Sequence, residues 1–140
     1  MKFLLDSSTL IDIFAGDKEA LFNFDLASVQ DVAVSSIVFA EIAAGMQKEP
    51  NSAAPYLLAK SFMDFARVET FGKNAALRAG ELIDHLARKG SSIGAMDTLI
   101  AAHALELGAT LVTANTKHFQ RVPGLSIVNW SKQQKPAKKP

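Results

Sequence analysis

Short apolar runs alternate along this chain with longer runs whose apolar residues recur every three to four positions. The first pattern predicts buried strands and the second predicts amphipathic helices. Apolar strands separated by helices are typical of a parallel sheet covered on both faces. We therefore predict an α/β fold with three layers, α/β/α, around a mostly parallel sheet of four to five strands. The predicted strands are Phe3-Leu4-Leu5, Val32-Ala33-Val34, a weaker one at Val68, Thr110-Leu111-Val112-Thr113 and Ser126-Ile127-Val128.

Glycine and proline mark where the helical runs end. Gly90 and Gly108 stand just past two of them, where a left-handed residue closes the last turn, and Pro50 follows another. No internal repeat or linker interrupts the pattern, so a single domain over residues 1–130 is predicted. The predicted helices are 9–14, 18–24, 37–47, 53–66, 74–88 and 96–107.

The composition is that of a globular protein without disulfide bonds. Apolar residues make up 49% of the sequence and charged residues 21%, and cysteine is absent. Thiolate zinc sites and cysteine nucleophiles are thereby excluded, and a reducing compartment is indicated. Asp6 and Asp12 interrupt the apolar N-terminal stretch, so we expect neither a signal peptide nor a membrane span, and a cytoplasmic location.

The net charge of +1 conceals a difference between the body of the chain and its end. Residues 132–140 contain four lysines and no acid, and subtracting those four charges from +1 leaves −3 for residues 1–131. We predict that residues 131–140 form a basic, disordered tail, because a segment of Pro, Lys and Gln cannot bury a core. Such a tail could contact phosphates, although a simply solvated tail is the plainer interpretation.

Acidic and amide residues stand where the predicted strands and their following helices meet. Asp6 directly follows the first strand, and Asn115 follows the fourth. Glu41 lies about one turn into the helix after the second strand, and Asp97 begins a later helix, each among apolar neighbours. Ligands of parallel sheets bind beyond the carboxyl ends of the strands. We therefore expect Asp6, Glu41 and Asp97 to converge there.

Converging carboxylates repel one another unless a cation is present. A set of oxygen ligands selects a hard cation, Mg²⁺ or Mn²⁺, over zinc or copper. Such an ion neutralises a phosphate, lowers the pKa of a bound water and orients it for in-line attack. The pattern thus indicates metal-assisted hydrolysis, with Asp6, Asp97 and Glu41 as metal ligands and Glu41 also able to position or deprotonate the water.

Each of these residues also has a purely structural interpretation that the sequence leaves open. Asp6 can cap the helix that begins near Ser8, and Asp97 can serve the dipole of its own helix. Asn115 is frequently a turn or cap residue. Glu41 is the hardest to explain structurally, because no basic residue is adjacent to it on an apolar surface.

The other polar residues offer no competing chemistry. No histidine is paired with another His or Asp at metal-ligand spacing on a helix face. We expect the histidines to be solvated or to cap helices: His85, His103 and His118. The hydroxyl residues at strand ends are expected to be caps or supporting groups rather than ligands: Ser35, Ser36 and Thr113.

Four segments resemble, in order, the motifs of PIN-domain ribonucleases. They surround Asp6, Glu41, Asp97 and Asn115, at successive spacings of 35, 56 and 18 residues. The segments read LLDSSTLID, SSIVFAEI, GAMDTLIAAHA and LVTANTKHFQRVPGL, and VNW fits the usual ending. Within this family the chain most resembles the VapC-type toxins of bacterial toxin–antitoxin pairs. The resemblance covers residues 1–130 and leaves the basic tail outside.

This resemblance implies an endoribonuclease that uses Mg²⁺ or Mn²⁺ to cleave structured RNA such as tRNA or rRNA, often as a homodimer. It also implies a VapB-like antitoxin that inhibits by placing a basic side chain among the acids. By position, Asp6 and Asp97 match metal ligands, and Glu41 matches the acid that holds metal or water. Asn115 matches a catalytic position that is often Asp, and His118 a position that is a carboxylate in relatives. Both departures lower the negative charge, which weighs against a second tightly held metal.

Two other functions remain possible for such a fold. A receiver-type phosphoacceptor would need an acidic pair after the first strand and a lysine after the last, whereas Asp6 is followed by two serines. A PIN-like binding module without catalysis would have no need of clustered carboxylates, which are costly without a cation. The choice of RNA over DNA rests on the resemblance alone, because hydrolysis by an activated water needs no 2′-hydroxyl.

Overall fold

A five-stranded sheet forms the centre of the computed structural model, which describes residues 1–131. The strands are β1 (Phe3–Leu5), β2 (Val32–Ser35), β3 (Val68–Glu69), β4 (Thr110–Val112) and β5 (Ile127–Val128). Their order in the sheet is β3-β2-β1-β4-β5, and each pair of neighbours is parallel. The predicted parallel sheet is confirmed, including its weakest strand.

Helices connect the strands over the described range. They are α1 (Ser7–Phe14), α2 (Lys18–Leu26), α3 (Ser36–Met46), α4 (Ala54–Phe65), α5 (Lys73–Arg88), α6 (Ala95–Leu107) and α7 (Thr116–Phe119), with a 3₁₀ turn at Val29–Asp31 before β2. The six predicted helical runs correspond to α1 through α6, with ends displaced by at most two residues. The sequence does not predict α7, because a single turn has no apolar periodicity to detect.

Gly90 ends α5 in the way its position predicts. Its φ of 66° is left-handed, a conformation that a residue with a Cβ adopts only with strain. The amide of Ser91 donates to the Leu86 carbonyl at 2.9 Å, and the Gly90 amide donates to Ala87 at 3.1 Å. This pair of bonds is a Schellman cap, which satisfies the last carbonyls of the helix. Gly108 ends α6 with the same left-handed conformation.

Strand β1 lies in the middle of the sheet, between β2 and β4. Leu4, Leu5, Leu111 and Val112 have no exposed surface, because helices cover both faces of these central strands. The three-layer α/β/α prediction is confirmed. From β1 the chain builds β2 and β3 on one side and then β4 and β5 on the other, so the strand order reverses between β1 and β4. At such a reversal a crevice opens beyond the carboxyl ends of the two strands.

The last described residues pack against the opposite end of the chain. The ring of Trp130 meets Phe3 edge-on with centroids 5.2 Å apart. Ser131, the first residue of the predicted tail, is buried and its Oγ donates to Asp12 Oδ2 at 2.6 Å. The rest of that predicted tail, 132–140, lies outside the described residues. Among the helices of residues 1–131, none has the length and apolar character needed to cross a membrane.

Candidate active site

Asp6 stands at the carboxyl end of β1, in the crevice beside β4. Its amide donates to the Val112 carbonyl at 2.8 Å, which continues the pairing of the two strands and fixes the backbone. The side chain is only 3% exposed, and its Oδ2 accepts hydrogen bonds of 2.8 Å from the hydroxyls of Ser8 and Thr113. Asp6 occupies the N-cap position of α1 but makes no side-chain capping bond there. The capping interpretation is therefore not supported, and the side chain is an oriented carboxylate in the crevice.

Burial governs the protonation of Asp6. Loss of water around the carboxyl raises its pKa above the ordinary 3.8, hydrogen bonds from Ser8, Thr113 and the Ser7 backbone oppose the rise, and the charge of Asp97 adds to it. The two hydroxyl donors therefore stabilise the ionised form, which is the form that a cation would need.

Glu41 lies in the second turn of α3, and Ser35 determines where that helix begins. Ser35 Oγ accepts a hydrogen bond of 3.1 Å from the Ile37 amide, so the prediction that Ser35 is a cap is confirmed. Among residues 1–131, the Oε1 atom of Glu41 is buried and has no hydrogen-bond partner. An unpartnered buried acceptor is uncommon in native proteins and calls for an explanation.

The charge of Glu41 is disfavoured where it stands. Burial raises its pKa above the ordinary 4.5, the Ser7 side chain partly opposes this, and the charges of Asp6 and Asp97 raise it further. Asp6 and Asp97 are therefore near enough for their charges to act on Glu41. The convergence of the three acids on one ion stays a prediction.

Asp97 lies in the first turn of α6, which begins after Gly94. Its Oδ2 is 3.2 Å from Nδ1 of His118, and the same nitrogen is 3.1 Å from Nδ2 of Asn115. An ionised carboxylate only accepts hydrogen bonds, so the contact with Asp97 requires the proton on Nδ1 of His118. That nitrogen then cannot also accept from Asn115. In that tautomer Asn115 Nδ2 lies beside the His118 ring without donating to Nδ1, and the direct contact with Asp97 is made by His118.

The predicted site residues share one end of the sheet without closing into a tight cluster. Within residues 1–131, no three His, Cys, Asp or Glu side chains stand close enough to hold a metal ion together. Mg²⁺, however, keeps several waters and binds through one or two carboxylates directly. The donors fit such an ion, because the charged groups are all oxygen donors and Glu41 has a buried oxygen without a partner. The assignment of metal ligands stays a prediction.

Sequence reasoning missed how the supporting groups are used. Ser8 and Thr113 both donate to Asp6 and lie 3.2 Å from each other, although 105 residues separate them. His118 contacts Asp97, and its only signal in the sequence was that relatives carry a carboxylate there. His103 has no exposed surface and bonds to Ser35, so the expectation of a solvated or capping histidine is wrong at that position.

The fold and the carboxylate set define the class of this protein. The PIN domain family matches residues 3–125, and the chain belongs to that family. Its relatives include the Ribonuclease VapC2 of Rickettsia felis, 34% identical over 134 residues, which cover 94% of this chain and 100% of the relative. The tRNA(fMet)-specific endonuclease VapC of Salmonella typhimurium is 30% identical over 130 residues, which cover 93% and 98% of the two chains.

Solved structures lead to the same group. The crystal structure of VapBC2 from Rickettsia felis, bound to a DNA fragment from their promoter, contains a chain that superposes with a TM-score of 0.83 at 31% identity. The match covers 94% of this chain and 100% of that one. The resemblance to VapC-type proteins, stated above from four motifs, is confirmed.

Proposed function

We propose that this chain is a metal-dependent endoribonuclease that hydrolyses RNA phosphodiester bonds as the toxin of a toxin–antitoxin pair. The observation that carries the proposal is the placement of three acids at this end of the sheet: the buried Asp6 after β1, Glu41 on α3 with a buried oxygen that has no partner among residues 1–131, and Asp97 in the first turn of α6. Its relatives in Rickettsia felis and Salmonella typhimurium are named a ribonuclease and a tRNA-specific endonuclease, which supports RNA as the substrate.

Asp6 and Asp97 are the carboxylates that we assign to a divalent cation, Mg²⁺ or Mn²⁺, with Glu41 as the third acid. When bound, the ion would supply the positive charge that neutralises a phosphate and lowers the pKa of water. Ser8 and Thr113 favour the ionised form of Asp6 by donating to its Oδ2, against the effect of burial on its pKa. The protein therefore prepares one ligand fully before any ion arrives.

Glu41 is the group that accepts the proton of the attacking water. The water oxygen forms a bond to phosphorus and the water proton moves to the Glu41 carboxylate. The bond from phosphorus to the leaving ribose oxygen breaks, and that oxygen keeps the electron pair and takes a proton from solvent. Burial raises the pKa of Glu41, which makes it a better proton acceptor than an exposed carboxylate. His118 orients the side chain of Asp97, with His118 Nδ1 3.2 Å from Asp97 Oδ2, and Asn115 lies beside the same imidazole.

The partners follow from the relatives and from the charge of the site. Structured RNA such as tRNA or rRNA is the proposed substrate, and a VapB-like antitoxin is the proposed inhibitor, since the matching Rickettsia felis structure is a VapBC2 assembly. An arginine of the antitoxin could replace the cation at the carboxylates, because a guanidinium pairs with two oxygens at once. Apolar side chains on α2 and α4 are exposed, Phe22 by 62% and Phe65 by 87%, which suits a protein-binding surface.

A homodimer acting in the cytoplasm completes the proposal. The oligomeric state is tested by light scattering of the purified chain, with and without the product of a neighbouring short reading frame as the candidate antitoxin. A particle of one chain mass in both conditions would contradict both the dimer and that choice of partner.

The nuclease itself is tested by incubating the purified protein with tRNA and rRNA in the presence of Mn²⁺. The matched variants are Asp97→Asn in the crevice and Asp84→Asn on the exposed face of α5, where Asp84 pairs with Arg88. We expect cleavage by the wild type and by Asp84→Asn, and none by Asp97→Asn or in EDTA. Equal cleavage by both variants would refute the assignment.

Two further arms identify the substrate and exclude an inert module. A single-stranded DNA of the same sequence as the cleaved RNA should stay intact, and its cleavage would remove the restriction to RNA. Calorimetry should detect Mn²⁺ binding to the wild type and not to Asp97→Asn, whereas a purely binding module would show no difference between them.

A further inference from the structure

A fully buried hydrogen bond joins the two helices that carry Glu41 and Asp97. Ser35 Oγ, at the start of α3, lies 2.8 Å from Nδ1 of His103 on α6, and neither residue has any exposed surface. Glu41 follows Ser35 by six residues, and Asp97 precedes His103 by six. At 1.5 Å per residue, the bond lies roughly 9 Å along each helix from the acid that the helix carries.

Phe71, in the segment between β3 and α5, connects the same two helices a second time. Its amide donates to Ser36 Oγ at 3.0 Å, and its ring meets the His103 imidazole edge-on with centroids 5.3 Å apart. Helices α3 and α6 also pack directly against each other. The imidazole is thus held from two sides between the helix of Glu41 and the helix of Asp97.

The bonding of Ser35 favours one direction for its hydrogen bond with His103. Ser35 Oγ already accepts from the Ile37 amide, so its hydroxyl hydrogen is free to donate to Nδ1. The tautomer consistent with this network carries its proton on Nε2. Burial lowers the pKa of His103, opposed by the charges of Glu106 and Glu69, which keeps the ring neutral.

The stability of the core does not account for a histidine at this position. Nε2 is buried and has no hydrogen-bond partner within residues 1–131, although the Thr70 backbone is near enough to oppose the lowering of the His103 pKa. A buried polar group without a partner is unfavourable, and an apolar side chain of similar shape can be neutral or stabilising there. What an apolar side chain could not supply is the acceptor for Ser35.

We propose that His103 is a positioning residue, which sets the spacing of Glu41 and Asp97 through its hydrogen bond to Ser35. This inference rests on the proposed function, since the spacing matters only if the carboxylates share an ion and a reacting phosphate. Displacements of about 1 Å at a reacting centre can cost 100-fold in rate. A small change in the packing of α3 on α6 is therefore enough to impair the site.

Three substitutions at position 103 separate positioning from packing. His103→Asn places an amide oxygen where Nδ1 stands, His103→Gln places its amide near Nε2, too far to reach Ser35, and His103→Leu removes both polar atoms. We expect His103→Leu and His103→Gln to lower kcat on RNA by about 10- to 100-fold and to leave KM unchanged. Losses of that size are typical when a group that orients a metal ligand is replaced. His103→Asn should keep kcat within about threefold of the wild type. The thermal unfolding midpoints of the three variants should not rank in the same order as their kcat values.

A double-mutant cycle tests whether His103 acts through Ser35. Ser35→Ala also removes the cap of α3, so the combined variant with His103→Leu gives the decisive comparison. If the effect of both substitutions comes from the loss of the Ser35–His103 hydrogen bond, kcat of the double variant should be no lower than that of the worse single variant. If the two substitutions disturb packing independently, their fold-losses in kcat should multiply. Multiplied losses, or wild-type kcat in His103→Leu, would overturn the proposal.

Mn²⁺ affinity, measured by calorimetry on the same variants, separates this inference from the proposed function. We expect affinity to fall in the Leu and Gln variants and to recover in Asn. If the wild type binds Mn²⁺ but cleaves no RNA, the nuclease proposal is refuted. The Mn²⁺ affinities of the His103 variants would then still test whether His103 positions the carboxylates. Unchanged affinity and kcat in His103→Leu would refute positioning and leave the nuclease intact, and a wild type that binds no Mn²⁺ would refute both.

Discussion

Asp6 and Glu41 share one crevice and both have raised pKa values, yet the protein treats them differently. Asp6 is anchored by the β1–β4 pairing and receives two hydroxyl donors on Oδ2. Glu41 projects from a helix, and its buried Oε1 has no partner among the described residues. Asp6 therefore has its donors in the folded chain, whereas Oε1 of Glu41 lacks one among the described residues.

The difference indicates where the site depends on something from outside the chain. A buried acceptor without a partner costs about 1–3 kcal/mol, which the rest of the fold must offset. A cation or a water proton would remove that cost at Glu41, whereas Asp6 has little to gain in hydrogen bonding. Glu41 is therefore the residue at which binding and stability should be coupled most strongly.

The largest expected effect is on catalysis, and it should be shared by both acids. Asp6→Asn and Glu41→Gln should each lower kcat/KM on RNA by more than about 100-fold. Replacing a residue that only supports a metal ligand already lowers activity by about 10- to 100-fold, and these two residues are proposed ligands themselves. The measurement is single-turnover cleavage, with the exposed Glu81→Gln as the matched control. Full activity in Glu41→Gln would show that Glu41 has no catalytic role and would leave Asp6 as the essential acid of this pair.

The next effect is stabilisation by the ion. Mn²⁺ at 100 times its dissociation constant should raise the free energy of unfolding of the wild type by about 2.7 kcal/mol, from mass action alone. Urea unfolding with and without the ion measures this, and the gain should be smaller in both Asp6→Asn and Glu41→Gln. If Mn²⁺ does not change the urea unfolding midpoint of the wild type, the proposed cation site is wrong.

The pH dependence of stability distinguishes the two acids without any substrate. Because the folded-state pKa values of Asp6 and Glu41 lie above 3.8 and 4.5, the folded protein binds more protons than the unfolded chain in that region. Their contribution is fully present below those values and is lost as the pH rises through the raised values. Glu41→Gln should therefore gain stability relative to the metal-free wild type as the pH rises above about 4.5, the ordinary value for this carboxyl.

The comparison of variant and wild type is made by urea unfolding at several pH values, so that all other carboxylates cancel. A stability difference that stays constant across this range would show that Glu41 titrates alike in the folded and unfolded states. Mn²⁺ should suppress the trend, because an ion bound at the carboxylates keeps them ionised.

The smallest effect concerns the donors of Asp6. Thr113→Val keeps the buried volume and removes one of two hydroxyls, which should cost about 1.5 kcal/mol once Asp6 is ionised. Thr98→Val is the control, because the Thr98 hydroxyl donates to the uncharged Gly94 carbonyl at 2.7 Å. The cost at Thr113 should grow with pH and the cost at Thr98 should not. Equal, pH-independent costs would mean that Thr113 does not support the charge of Asp6.

The strands, the helices and the acidic residues at their ends were predictable from the sequence, because each is marked by a pattern within a short segment. Apolar runs gave the strands, and Gly90 and Gly108 gave two helix ends through the left-handed residue that such ends require. The strand-end rule placed Asp6 and Asn115 at the same end of the sheet before any strand order was known. These inferences need only a segment and its immediate flanks.

What the sequence left open depends on pairings between distant segments. That Ser8 and Thr113 donate to one oxygen follows from the register of β1 on β4, which pairs Leu5 with Val112. The burial of His103 follows from the packing of α6 against α3, and no periodicity marks it, since α6 is apolar on most of its surface. Contacts of this kind become readable only when the strand order is known.

The amide bond between Asp6 and Val112 has a consequence for how the domain loses activity. Since the backbone of Asp6 continues the pairing of β1 with β4, releasing it means parting two strands in the middle of the sheet, which is an opening of the whole domain. Fraying of loops or terminal turns leaves that carboxylate in place. Inactivation by heat and global unfolding should therefore coincide at this residue, and its amide hydrogen should be among the last to exchange with deuterium.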